Sequence, residues 1–321
     1  MFTIRKQIAS PIFTSLLLLS NLACNDSSSD DSSPAPEEPS QRPEPTSSEF
    51  ELQPGGSGQT LVVFGDSIST GVLAETTLGE QPSQDFLRQL IEAASSGNFS
   101  QDSLQKDFSR PQVAAATTAE DYGVAAAIAA KEGIKTEEIR ILSAAKFGGR
   151  LKDVASMRDG LTSSVGDDAV EHVFFMLGSN DFCADSTVEK FSEELRSSLE
   201  SLSTTFPDAQ FIVGYLPPIA QLAQYEYDYG PSIGGAQVPI TSCEEFRNNT
   251  CGRLYTENAA EVVTSFNDSI RTVAQDVLAD RAFLAEKIIN WQIQENELAF
   301  DCFHPNRNGQ TTLGGFFQDI F

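Results

Sequence analysis

Imidazole is scarce in this chain: histidine occurs twice, as His172 and His304, so a mechanism that needs one has two places to look. Cations are also few, with 21 Lys and Arg against 46 Asp and Glu, a formal net charge of -25. Such a chain repels polyanions, which argues against a nonspecific grip on nucleic acid or anionic lipid. The acidic surplus reads as a solubilising coat. The five cysteines lack the close ligand spacing of a metal site. There is no internal repeat and no second linker-like stretch. What remains is enough for a large core, since 40% of the 321 residues are apolar.

The first residues read as an address. Arg5 and Lys6 precede the mostly apolar IASPIFTSLLLLSNLAC, with small Ala23 just before Cys24. A positive start, a short apolar centre and a small residue at the exit describe an export signal rather than a spanning helix. The end of the segment resembles a bacterial lipoprotein signal, in which the cysteine is lipidated after cleavage. It departs from that pattern at Asn21, where Leu is usual. Residues 1–24 are therefore expected to be an export signal with lipidation at Cys24 and membrane attachment through it; plain secretion is the alternative. Residues 25–59, rich in Ser, Pro and acidic side chains, have little to bury and read as a disordered tether. The folded domain is expected to span 60–321.

Four cysteines fall in that domain, and an even number in an exported chain suggests two disulfides. Cys243 and Cys251 bracket EEFRNNT, which reads as a short polar loop, so these two are expected to pair. Cys183 is then left for Cys302.

LVVF at 61–64, IRIL at 139–142, VFFML at 173–177 and FIVGYL at 211–216 are near-continuous apolar runs, the pattern of parallel strands covered on both faces. Helical segments lie between and after them. Residues 119–133 are Ala-rich and close on a glycine; 187–206 carry Phe191, Leu195, Leu199 and Leu202 on one face; about 256–278 carry Val262, Val263, Phe266 and Ile270. Strand and helix in alternation predict a doubly wound, three-layer α/β/α sandwich. Ligands of such sheets bind beyond the carboxyl ends of the strands, and Ser67 follows LVVF there.

Is Ser67 a nucleophile? Of the two histidines, His172 opens a strand without an orienting acid and reads as structural. His304 lies in DCFHPNRNG with Asp301 three residues earlier, a spacing that can bring the carboxylate to Nδ1 and leave Nε2 as a base. Two further strand ends converge on the same crevice. VFFML runs into Gly-Ser-Asn-Asp, placing the Asn180 amide at the sheet edge, and SAAKFGG follows IRIL, where Gly148 offers an unobstructed N–H. Taken singly, each is an ordinary turn sequence.

Together they resemble the SGNH hydrolases, the GDSL esterase/lipase family. GDS at 65–67, SAAKFGG at 143–149, GSND at 178–181 and DCFH at 301–304 match its four blocks in order, over roughly 60–321. The resemblance implies a mostly parallel, five-stranded-type sheet of the SGNH/flavodoxin-like kind. It implies a Ser67–His304–Asp301 triad, and an oxyanion hole from Ser67 N–H, Gly148 N–H (Gly149 as fallback) and the Asn180 side chain. The reaction implied is hydrolysis of small-molecule or lipid carboxylic esters, without metal or organic cofactor. Ser67 lacks the G-x-S-x-G frame of α/β-hydrolases, as that family does. GSNDFC and DCFHPN look most like the phospholipase-B-like branch. The rival readings are a carbohydrate O-acetylesterase on the same triad and a non-catalytic surface binding module. Residues 215–235 could line an acyl groove or pack the scaffold.

Overall fold

The computed structural model describes residues 50–55, 58–79, 108–165, 169–227 and 242–321. The expected export signal, Cys24, and the tether up to residue 49 lie outside the described residues. Six strands form one sheet in the order β1-β3-β2-β4-β5-β6. These are β1 (Glu51–Gln53), β2 (Thr60–Gly65), β3 (Arg140–Ser143), β4 (His172–Met176), β5 (Gln210–Gly214) and β6 (Ala282–Ala285). Five of them pair in parallel, and β1 runs antiparallel on the β3 edge. The parallel core matches the expected five-stranded type. β1 comes from residues read as tether, and β6 (AFLA), a half-exposed edge strand, is not among the runs read as strands.

Seven α-helices occur among the described residues: α1 (Val124–Glu132), α2 (Val154–Val165), α3 (Ser179–Cys183), α4 (Val188–Thr205), α5 (Cys243–Cys251), α6 (Ala259–Leu278) and α7 (Arg307–Gly315). They cover both faces of the sheet. Phe64 of β2 meets Phe206 at the end of α4, whereas Phe174 of β4 meets Phe317 just after α7. Phe174 pairs with Val63, so it points to the face opposite Phe64. Strands β2 and β4 are buried throughout, which explains their unbroken apolar sequences. On one face α4 and α6 pack together through Phe191 stacked on Phe266 at 4.0 Å. α1 ends as its sequence foretells, with Gly133 left-handed (φ 69) and its N–H returned to Ala129 O.

His172 opens β4 far from the carboxyl ends of the strands. Its Nε2 lies 3.2 Å from Gln59 Oε1, its ring meets Phe321 edge-on, and Nδ1 is buried with no hydrogen-bond partner among the described residues. Burial, helped by the nearby Lys131 charge, lowers its pKa to about 4. This is a structural histidine held neutral.

The disulfides differ from the expected pairing. Cys183 bonds Cys251 and Cys243 bonds Cys302. The reason is that EEFRNNT is not a loop: Cys243 and Cys251 are the first and last residues of α5. Eight residues of helical rise hold them about 12 Å apart, too far for one bond. Cys251 instead reaches the end of α3 at Cys183, and Cys243 reaches the turn at Cys302.

Two outcomes follow. Non-reducing peptide maps should give Cys183–Cys251 and Cys243–Cys302, with sequence separations of 68 and 59. Each loop closure alone is worth about 4 kcal/mol on the chain-entropy account, so Cys→Ser variants at either pair should melt well below the parent. Recovery of Cys243–Cys251 would contradict the fold of α5. For His172, the unfolded chain takes up a proton below its ordinary value of 6.5 while the folded one resists until about 4. Its contribution is therefore nil above pH 6.5 and turns against folding as pH falls toward 4. The stability gap between the parent and His172→Gln should shift against the parent by roughly 2 to 3 kcal/mol between pH 7.5 and 4.5. A gap constant with pH, measured by urea unfolding, would show that the ring is not held neutral.

Candidate active site

Ser67 follows β2 by two residues, at the start of a tight turn. Gly65 permits that turn, because a Cβ there would lie 2.1 Å from Ser69 Oγ. Asp66 Oδ1 accepts from Ile68 N–H at 2.9 Å, and Ser67 O accepts from Val72 N–H and Thr70 Oγ1. A third support comes from α7: Gln310, fully buried, donates from Nε2 to Ile68 O at 2.9 Å and accepts from Ala115 N–H at 3.0 Å.

The Asp301–His304 segment closes on itself. Ala299 N–H donates to His304 O at 2.8 Å, and Asp301 Oδ1 accepts from the N–H groups of Phe303 and His304 at 3.1 and 3.0 Å. The other carboxylate oxygen, Oδ2, meets His304 Nδ1 at 2.5 Å, and His304 Nε2 meets Ser67 Oγ at 2.8 Å. The three residues, 237 positions apart at the extremes of Ser67 and His304, form one continuous chain of hydrogen bonds. Each is at most 7% exposed, so the bonds sit in a medium where water competes poorly.

Gly148 and Asn180 lie at the same edge. Lys146 N–H donates to Gly65 O, and a Cβ on Gly149 would fall 3.0 Å from that same oxygen, so the turn after β3 lies against the end of β2. Asn180, in α3, donates from Nδ2 to Gly149 O at 3.1 Å, which fixes the amide and leaves its second N–H unspent. Gly148 is left-handed at φ 68, and its N–H has no partner among the described residues. Gly149 N–H is already committed to Lys146 O at 3.1 Å. A buried ion pair clamps these two turns: Asp181 accepts from Arg150 Nε at 3.3 Å and from Leu151 N–H at 3.2 Å. Asp66, Gln310 and the Arg150–Asp181 pair were not singled out in the sequence; only their places beside the four blocks could have marked them.

Three buried carboxyls share this edge and are tuned apart. Burial pushes Asp66 up to about 6, against backbone hydrogen bonds, chiefly from Ile68 N–H, and the His304 charge. Burial likewise pushes Asp181 up to about 6, its Leu151 and Arg150 contacts offsetting only part of the cost. Burial acts on Asp301 too. There the His304 charge, with hydrogen bonds from the ring and from two backbone N–H groups, outweighs it and holds the carboxyl below its ordinary value. Asp301 is thus kept ionised beside the imidazole. No group of three or more potential metal ligands occurs among the described residues.

Similar solved structures are distant in sequence. An extracellular lipase from Streptomyces rimosus is 15% identical, with 82% of this chain and 100% of that one covered and a TM-score of 0.40. An acetyl xylan esterase from Geobacillus stearothermophilus is 15% identical, covering 83% and 96%, with a TM-score of 0.44. The psychrotrophic esterase EstA from Pseudoalteromonas sp. is 14% identical, covering 81% and 95%, with a TM-score of 0.42. No curated protein matches the chain. The family described as GDSL-like lipase/acylhydrolase matches residues 61–314, from the second residue of β2 almost to the end of α7. The chain belongs to that family and is a carboxylic ester hydrolase.

Proposed function

We propose that the protein hydrolyses carboxylic esters through Ser67, His304 and Asp301. The observation that carries this reading is the unbroken contact from Asp301 Oδ2 through both ring nitrogens of His304 to Ser67 Oγ. His304 Nε2 takes the Ser67 proton as Oγ bonds to the ester carbonyl carbon. Asp301 holds the reactive tautomer and stabilises the imidazolium that forms. The N–H groups of Ser67 and Gly148 and the Asn180 amide receive the oxyanion. Collapse breaks the C–O bond to the alcohol, which leaves with the His304 proton. Water, deprotonated by His304, then attacks the acyl-serine, releasing the acid and restoring Ser67.

We also favour acyl groups with an apolar chain over acetyl. A small apolar cluster, separate from the main core, gathers Val72, Phe108, Leu73, Phe147 and Phe300. Phe147 brings it to the site, its ring centroid 6.1 Å from that of His304. The other suggested acyl surface, 215–235, gives less support: Tyr215, Leu216, Ile219 and Leu222 are buried in the main core, and 228–235 lie outside the described residues. Export is supported by the two disulfides, which persist in oxidising compartments; lipidation at Cys24 rests on the sequence of the first 24 residues. The tether would then run from Cys24 to the start of β1 near Glu51.

Ser67→Ala should abolish turnover of p-nitrophenyl esters. Asn180→Ala should lower kcat by roughly 10²–10³ with little change in KM, because its amide acts on charge present only in the transition state. A well-folded Asn180→Ala enzyme with kcat near the parent's would remove Asn180 from the oxyanion hole. Across acetate to decanoate esters, kcat/KM should rise with chain length in the parent. Phe147→Ala should flatten that rise, since each buried methylene contributes about 0.8 kcal/mol. A parent that prefers acetate, or acetylated xylan, would favour the carbohydrate esterase instead.

A further inference from the structure

The sequence CEEFRNNTC is mostly polar between its two cysteines, yet it forms α5 and its three residues at spacing four, Cys243, Arg247 and Cys251, are all fully buried. Spacing of four puts them along one stripe of the helix. Two of the three are disulfide anchors. The third is a guanidinium, and its surroundings are unusual. Arg247 Nε donates to Tyr255 Oη at 3.1 Å, Nη1 donates to Cys302 O at 3.4 Å, and Nη2 donates to Tyr225 O. All three acceptors are neutral; no carboxylate lies within ion-pairing distance among the described residues. A buried cation whose described partners are all neutral is expensive, so its geometry calls for a reason beyond packing.

That reason lies in what α5 grips. Cys302 sits between Asp301 and His304 and has φ 61, the left-handed region that side-chain-bearing residues rarely occupy. The turn that delivers His304 to Ser67 passes through this residue, and α5 restrains it at two points. Its sulfur is bonded to Cys243, and its carbonyl is held by Arg247. One restraint fixes the side chain and the other the peptide plane. Rotating that plane would swing the following N–H groups of Phe303 and His304 off Asp301 Oδ1, and with them the ring off Oδ2.

We propose that Arg247 is a positioning residue for the reaction, which through Cys302 O sets the peptide path from Asp301 to His304. The proposal rests on Ser67, His304 and Asp301 being the catalytic groups. Arg247 touches neither substrate nor reacting atoms, so its removal acts through the imidazole. With the ring less well held against Asp301, the imidazolium is less stabilised, and the group that must be deprotonated for activity titrates lower.

The test compares the parent with Arg247→Gln and Arg247→Lys, each first shown by non-reducing peptide map to hold both disulfides. On p-nitrophenyl butyrate, Arg247→Gln should lose between about 10- and 100-fold in kcat, the scale of a small misplacement of a reacting group, with KM altered less than twofold. Its kcat/KM profile should show the acid limb displaced to lower pH. Arg247→Lys keeps the charge but only one donor nitrogen in place of the guanidinium fork, and should recover part of kcat and of the limb position. If Arg247→Gln does not fold, Arg247→Lys alone must still show the lower kcat and the displaced limb. An unshifted acid limb in a folded variant, with activity falling only in proportion to folded protein, would overturn the proposal and leave Arg247 structural. Retention of activity by Ser67→Ala would instead bring down the triad on which it rests, so the two failures are distinguishable.

Discussion

Parallel pairing is the constraint on which the molecule depends. β2, β3 and β4 run side by side with Val62 opposite both Leu142 and Val173, so their carboxyl ends emerge together. Three successive turns therefore open on one edge whatever their sequences, and the Ser67 turn, the Gly148 turn and the Asn180 helix are neighbours by construction. His304 is the exception. It comes from the segment between β6 and α7, and no strand delivers it directly. Its place has to be built from local hydrogen bonds around Asp301 and from a helix, α5, that otherwise has little reason to lie where it does.

The electrostatics of the edge follow from who partners whom. Asp66, Asp181 and Asp301 are all nearly inaccessible to water, and burial alone would push each one up. Asp301 escapes because its carboxylate collects two backbone N–H groups and an imidazole. Asp66 has backbone N–H groups and no adjacent hydrogen-bonded cation, and Asp181 has the Arg150 guanidinium and the Leu151 N–H, which offset only part of the cost of burial. Three identical side chains in one neighbourhood thus shift in different directions, according to the hydrogen bonds and charges that oppose burial at each.

Much of this architecture is legible in the amino-acid order itself. The unbroken runs LVVF and VFFML declare buried strands, the spacing of Phe191, Leu195 and Leu199 declares a helix face, and Asp301 three residues before His304 declares the pair. These signals are local, and local periodicity survives in sequence. What escapes is set by distant partners. α5 reads as a loop because its segment is mostly polar, and of the three residues it is seen to bury, Cys243, Arg247 and Cys251, two do so to form covalent bonds. β1 has three residues and a mixed pattern, and exists because β3 offers an edge. Gln310 holds the Ser67 turn from the far end of the chain, a contact no window of sequence contains.

The two disulfides interleave: the span from 183 to 251 overlaps the span from 243 to 302. Cutting the backbone once at any point between Cys183 and Cys302 therefore leaves at least one bond across the break. The fragments stay one covalent molecule, and a protease can nick this region once without separating Asn180 from His304. For an enzyme whose His-bearing turn is supplied from outside the sheet, that is protection of function and not only of fold.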